Sequence, residues 1–194
     1  VETTPVVWKG RLLRFEYVRP NYWANRTGNS FFRFVDAETG EATPPFARGF
    51  HLGSAYVEDN TAYVYGVERW GAPEVYVFWS GDLVNWRYKV ALKTPNWGLY
   101  NTSVCKADGR YVMAVEVGEP PEVVGVRFTV FFAESKDLLN WKLLPLHCVY
   151  SKDRYTACPL LRHLGGWFYM VYLEAYPERH FAPHIVRSKD LVRW

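Results

Sequence analysis

Ser80-Gly81-Asp82-Leu83-Val84-Asn85-Trp86 recurs as Ser135-Lys136-Asp137-Leu138-Leu139-Asn140-Trp141, and again as Ser188-Lys189-Asp190-Leu191-Val192-Arg193-Trp194. The three tryptophans are 55 and 53 residues apart. One step further back, Phe34-Val35-Asp36-Ala37-Glu38-Thr39-Gly40 reads as a degenerate copy. Self-similarity at a fixed period of this length marks an array of equivalent units. Within each copy Ser and Asp are turn formers, because their side chains bond to nearby backbone. Leu and Trp are suited to filling the gap between units.

Working outward from the motif, each copy follows a similar set of short apolar runs. In the third unit residues 101–106 and 110–116 flank Ala107-Asp108-Gly109, and Asp-Gly between apolar runs is a strong hairpin signal. Residues 127–134 then lead into the motif and a short run at 141–144. The second unit repeats this with residues 51–57, a turn at Glu58-Asp59-Asn60, and runs at 62–67, 74–79 and 86–90. The fourth has residues 155–162, a turn at Gly165-Gly166, and runs at 167–174 and 183–187. The first starts at Thr3, turns at Lys9-Gly10 and continues over residues 11–17. No apolar pattern with a 3.6-residue period reaches helical length. Four antiparallel strands per unit of about 50 residues is the pattern of a β-propeller blade. Middle runs such as Tyr111-Val112-Met113-Ala114-Val115 are apolar on both faces, as sheets packed between neighbouring sheets require.

The expected fold class is therefore all-β: one propeller domain over residues 1–194, with blades near 1–48, 49–95 and 96–150 and a partial blade at 151–194. The chain reaches Trp194 before an outer strand for the fourth unit, so the expectation is four units of a larger ring, with self-association through the open propeller edge as one way to cover it.

Composition agrees with a packed β protein. Apolar residues are 49%, charged residues 22% and aromatic residues 18% of the chain, which excludes a disordered polymer. The longest nearly unbroken apolar run, residues 167–173, is far short of the roughly 20 residues of a membrane helix, so no membrane partner is expected. The net charge of +3 is spread among interspersed signs, which argues against a nucleic-acid partner. No apolar segment behind a basic start opens the chain, and the compartment stays open between cytoplasmic and secreted. Cys105, Cys148 and Cys158 form no C-x-x-C pair, so neither a zinc site nor a disulfide framework is indicated.

With the repeats in view, the sequence resembles the five-bladed propellers of glycoside hydrolase families 43 and 32. The resemblance is carried by strand pairs such as Asn101-Thr102-Ser103-Val104 and Asp108-Gly109-Arg110-Tyr111, each unit ending in Ser-x-Asp-Leu-x-x-Trp, and it covers essentially the whole chain. It implies a glycosidase acting on an oligosaccharide or polysaccharide held in the funnel where the innermost strands begin. The alternative it leaves open is a catalytically silent carbohydrate-binding propeller. At the positions matching the acidic residues of these families stand Thr4, before Pro5, and Thr156-Ala157, before Cys158-Pro159. Glu2 lies two residues from Thr4 and is an imperfect substitute.

In an antiparallel blade the start of strand one and the end of strand two share an edge. One face should therefore gather Glu2, His51, Asn101, Arg154 and Thr156 with Glu16, Glu68, Glu116 and Glu174, the Glu that recurs near the end of each second strand. Glycoside hydrolysis uses two carboxyl groups, one with a raised pKa. Glu116 and Glu174 are the expected acid and base or nucleophile, with Glu16 adjusting charge. The structural alternative is that these carboxylates bond to loop backbone or pair with Arg19, Arg69 or Arg179. His51, Asn101, Arg154 and Thr156 would orient sugar hydroxyls. For His51 a cation, an acid role or a buried structural role remains equally open. Trp23, Trp70 and Trp97 occupy loops on that face and would stack on sugar rings. Cys105 and Cys158 are expected as packed thiols on neighbouring innermost strands. His180 and His184 fall in a segment that reads as loop, so no metal site is expected, and no cofactor is implied.

Overall fold

The computed structural model describes residues 1–21, 28–177 and 180–194. Trp23 and Arg179 lie outside the described residues. Among the described residues, fourteen strands form four antiparallel sheets. The first holds β1 (Glu2–Trp8), β2 (Arg11–Val18) and β3 (Phe31–Asp36). Bridges from Phe32 to Phe46 and from Val35 to Ala42 cover the outer edge of β3. The second holds β4 (His51–Glu58), β5 (Thr61–Val67), β6 (Glu74–Ser80) and β7 (Arg87–Lys93). The third holds β8 (Gly98–Ala107), β9 (Arg110–Glu119), β10 (Thr129–Ser135) and β11 (Lys142–Leu143). A single helical turn, α1 (Pro121–Val124), joins β9 to β10. The fourth holds β12 (Ala157–Leu164), β13 (Trp167–Tyr176) and β14 (His180–Ser188). His180 and His184 thus sit in a strand rather than a loop, because Pro183 at the outer edge of this sheet needs no partner for the amide it lacks.

All four first hairpins close through two residues with positive φ: Lys9-Gly10, Asp59-Asn60, Asp108-Gly109 and Gly165-Gly166. That conformation matches the right-handed twist of the flanking strands and favours Gly, Asn and Asp. The sheets then line up through their first strands, with β4 packed against both β1 and β8, and β8 against β12. The C-terminal halves of these four strands surround one cavity of about 370 Å³, lined by Val6, Ala55, Val104 and Arg162 among others.

The motif that opened the sequence is a self-contained clasp. Ser80 Oγ accepts the amides of Asp82 (3.2 Å) and Leu83 (2.9 Å), and Asp82 Oδ1 accepts those of Val84 (2.9 Å) and Asn85 (2.8 Å). Ser135 with Asp137 and Ser188 with Asp190 repeat the same bonds. The turn holds Leu83, Leu138 and Leu191 at φ of 61°, 64° and 64° and buries all three. The degenerate copy keeps half of it: Asp36 Oδ1 accepts the amides of Glu38 and Thr39, both at 2.9 Å, while Arg11 takes the other carboxylate oxygen. Each following Trp lands on the preceding sheet. Trp86 stacks on Phe46 at 3.8 Å, Trp141 meets Tyr65 edge-on at 5.7 Å, and Trp194 stacks on Phe132 at 5.7 Å.

The core divides accordingly into one cluster between the first three sheets and a second between the third and fourth. The outward faces of the first and last sheets are uncovered. Leu164 and Ile185 on the fourth are each 66% exposed, and Val7 on the first is 62% exposed.

Candidate functional site

Three of the innermost strands start with the same irregularity. Register jumps between His51 and Ser54 in β4, between Leu99 and Thr102 in β8, and between Ala157 and Leu160 in β12. In each, two residues oppose one on the neighbouring strand: Leu52-Gly53 against Gly66, Tyr100-Asn101 against Glu116, and Cys158-Pro159 against Tyr172. Such bulges re-aim side chains. Leu52 (φ 53°) and Cys158 (φ 54°) adopt the left-handed conformation there. At Gly53 a Cβ would lie 2.7 Å from the Phe15 ring, so the β4 bulge has room for no side chain at its second position.

The bulges converge on a cavity of about 370 Å³ at the end of the axis where the innermost strands begin. Leu52, Asn101 and Cys158 contribute from the bulges, Glu2 from β1, and Glu116 from β9. Trp70, Tyr100, Phe128 and Tyr155 supply aromatic wall, and Arg19 completes it. The rings run in edge contact, Trp70 to Tyr100 at 6.5 Å, Tyr100 to Phe128 at 4.9 Å and Phe128 to Tyr155 at 5.5 Å.

Two carboxyl groups line this cavity in different settings. Glu116 is 2% exposed, and its Oε2 accepts the Asn101 side-chain amide at 3.0 Å and the Cys158 backbone amide at 2.6 Å. Burial pushes its pKa up to about 7; the two hydrogen bonds oppose that shift, and the charge of Glu2 adds to it. Glu2 is more open, and its Oε1 accepts from Arg19 at 2.6 Å. A buried, protonatable carboxyl thus shares the cavity with a solvated carboxylate held by a guanidinium. Such a pair can deliver a proton and balance positive charge in the same place.

Of the residues that the sequence placed at the site, the structure brings Glu2, Glu116, Asn101 and Trp70 into this cavity. Trp23 is not among the described residues, and the remaining ones lie elsewhere. Glu16 projects to the uncovered face of the first sheet, one pleat away from Tyr17. Its carboxylate bonds to Arg14 and Arg33, both at 2.7 Å. Burial raises its pKa, but the two guanidinium groups more than offset this and leave it below the ordinary carboxylate value. His51 is buried behind the cavity wall, its Nδ1 against Tyr17 Oη at 2.9 Å and Ser30 Oγ at 3.3 Å. Burial, with the Arg19 charge, lowers its pKa. Trp97 packs in the core against Phe131. Thr156 is buried, its hydroxyl accepting the Val130 amide.

Glu174 and Arg154 form a separate cluster between the third and fourth sheets. Glu174 Oε2 accepts from Arg154 at 3.4 Å and from Tyr172 at 3.3 Å, with His184 at 3.7 Å. The recurrence of Glu in the sequence is therefore not a structural equivalence. Counted from the bulges, Glu116 corresponds to Gly66 and Tyr172, whereas Glu68 and Glu174 stand two residues further along. Cys105 is a buried thiol as expected, whereas Cys158 is exposed and lines the axial cavity. Glu2, which the sequence placed on this face, and Tyr155, at the start of the innermost strand expected over 155–162, are joined by Arg19, Tyr100 and Phe128, which the sequence did not single out for the site. Among the described residues no group of three or more His, Cys, Asp and Glu side chains is arranged to hold a metal ion.

No protein-family model matches the chain, and no curated protein matches it. Solved structures do. A Bombyx mori family 32 β-fructofuranosidase variant, solved in complex with sucrose, is 16% identical with a TM-score of 0.66, over 96% of this chain and 46% of that one. A family 43 β-1,3-galactosidase is 11% identical with a TM-score of 0.69, over 99% of this chain and 44% of that one. A family 43 endo-arabinanase from Bacillus licheniformis is 11% identical with a TM-score of 0.63, over 95% of this chain and 72% of that one. The chain spans less than half the length of the first two. Its fold is that of the five-bladed β-propellers of glycoside hydrolase families 32 and 43, and its four sheets are four blades of it.

Proposed function

We propose that the axial cavity binds an oligosaccharide or polysaccharide and hydrolyses its glycosidic bonds, with Glu116 as proton donor and Glu2 as the partner carboxylate. The observation that carries this reading is Glu116, a buried carboxyl with its pKa near 7 in the same cavity as Glu2. Protonated Glu116 gives its proton to the glycosidic oxygen as the bond to the anomeric carbon breaks, and the bonding pair leaves on that oxygen. Positive charge on the sugar ring is balanced by Glu2. Glu2 then either takes the proton of the attacking water or itself bonds the anomeric carbon before water releases the sugar, and the anomer formed distinguishes the two. Trp70 and Tyr155 offer apolar ring surface to the sugar.

This reading replaces the pairing of Glu116 with Glu174, whose carboxylate is occupied by Arg154 and Tyr172. The uncovered faces of the first and fourth sheets are a surface for self-association.

The test is hydrolysis of a panel of aryl glycosides and oligosaccharides by the chain, with Glu116→Gln and Glu2→Gln alongside. Each substitution should lower kcat by about a hundredfold or more. Sugar binding without turnover in the unsubstituted chain would make it a catalytically silent carbohydrate-binding propeller. Turnover that survives Glu116→Gln would remove Glu116 from the chemistry.

A further inference from the structure

Both hydrogen bonds received by Glu116 fall on one oxygen. Asn101 Nδ2 at 3.0 Å and the Cys158 amide at 2.6 Å both point at Oε2. They come from two different blades, and each donor sits in a bulge, one directly opposite Glu116 in β8 and the other at the start of β12. An oxygen that already accepts two N–H groups is a poor place for a carboxylic acid proton, because that O–H would point at a donor.

We propose that Asn101 and the β12 bulge are positioning elements that fix the acid proton of Glu116 on Oε1 and set the pH at which that proton is lost. Cys158 supplies a backbone amide, and its left-handed φ of 54° aims that amide. Asn101 supplies the only side-chain donor recorded on Glu116 among the described residues. Its amide favours the ionised form, so its removal must make Glu116 harder to ionise. The inference rests on the reading of Glu116 as the acid only for its use in catalysis. The hydrogen-bonding claim stands on geometry alone.

The measurement is a carboxyl titration of the full chain, following the Glu116 side-chain carbon by nuclear magnetic resonance with ¹³C-labelled glutamate and assigning it with Glu116→Gln. Asn101→Leu removes the donor at similar volume and should move the Glu116 titration upward by about half a pH unit or more. Asn101→Gln, which keeps an amide donor, should return it toward the unsubstituted position. Asn101→Ala, which likewise carries no donor, serves in place of Asn101→Leu if the latter does not fold. An unchanged titration in a folded variant lacking the amide would overturn the proposal. This readout needs no turnover, so an inactive chain in which the titration still shifts would defeat the hydrolytic reading and leave the positioning intact.

Discussion

Tyr65 in the second sheet donates its hydroxyl to the backbone carbonyl of Leu138 in the third sheet's clasp at 2.8 Å, and the same carbonyl takes the indole N–H of Trp141 at 3.1 Å. One backbone oxygen thereby ties two neighbouring blades. Tyr65→Phe removes one of its two donors and leaves the carbonyl satisfied by the other. The expected cost is about 1 kcal/mol, the net worth of one buried hydrogen bond. Urea unfolding of the two proteins measures it, and an unchanged midpoint would show that the bond contributes nothing to the junction.

Glu116 makes stability fall as pH rises. Its folded-state pKa of about 7 lies above the ordinary 4.5, so between these values the unfolded chain releases a proton that the folded chain keeps. Below pH 4.5 the carboxyl is neutral in both states and has no effect. Above 7 the loss levels off at roughly 3 kcal/mol, taking the whole shift at 1.36 kcal/mol per pH unit. Glu116→Gln carries no charge and should therefore gain stability over the unsubstituted chain at pH 8 while differing little at pH 4.5. Equal gains at both pH values would contradict a raised pKa.

The clasp aspartates act in the opposite direction. Burial alone would raise the pKa of Asp137, but the Asn140 side chain, the Asn140 and Leu139 amides and the Ser135 hydroxyl outweigh it and hold the value at about 2. A folded-state pKa below the unfolded value contributes stability above pH 4 that disappears as pH falls toward 2. Asp137→Asn should flatten the decline of the thermal midpoint across that window. A decline as steep as that of the unsubstituted chain would assign acid sensitivity to other carboxylates.

The uncovered face of the fourth sheet should make the chain associate with itself. Leu164 and Ile185, each 66% exposed, and Phe181 at 55% are large apolar side chains left open on this sheet. Light scattering over a concentration series should show growth in mass, and Ile185→Lys with Leu164→Lys should suppress it. A monomer at all concentrations would show that this face needs no cover.

The residues that open each clasp were legible because their chemistry is local: Ser and Asp bond backbone within three residues, and the strands follow from turn pairs such as Asp108-Gly109. Even the degenerate copy at Asp36 kept its bonds to Glu38 and Thr39. The site was less legible because pleat and bulge decide it. Glu16 and Tyr17 are neighbours in sequence, yet alternation sends one to the Arg14–Arg33 pair and the other to His51. A bulge shifts that alternation by one residue without any compositional sign, which is how Cys158 reached the cavity, and only the bulges reveal that Glu174 stands two residues beyond the position of Glu116. Trp97 looked like a loop residue with nothing to pack on, because Phe131, its partner, lies more than thirty residues away.

Because each clasp tryptophan rests on the sheet before it, the blades are coupled in one direction along the chain, like shingles. The free energy of the array is then a sum of unit terms and nearest-neighbour terms, as in linear repeat proteins. Loosening of the fourth blade would lift Trp194 from Phe132 and expose the third, while Trp86 and Phe46 stayed together at the far end. The amide of Cys158 belongs to the same blade, so that loosening would also take from Glu116 one of its two hydrogen bonds.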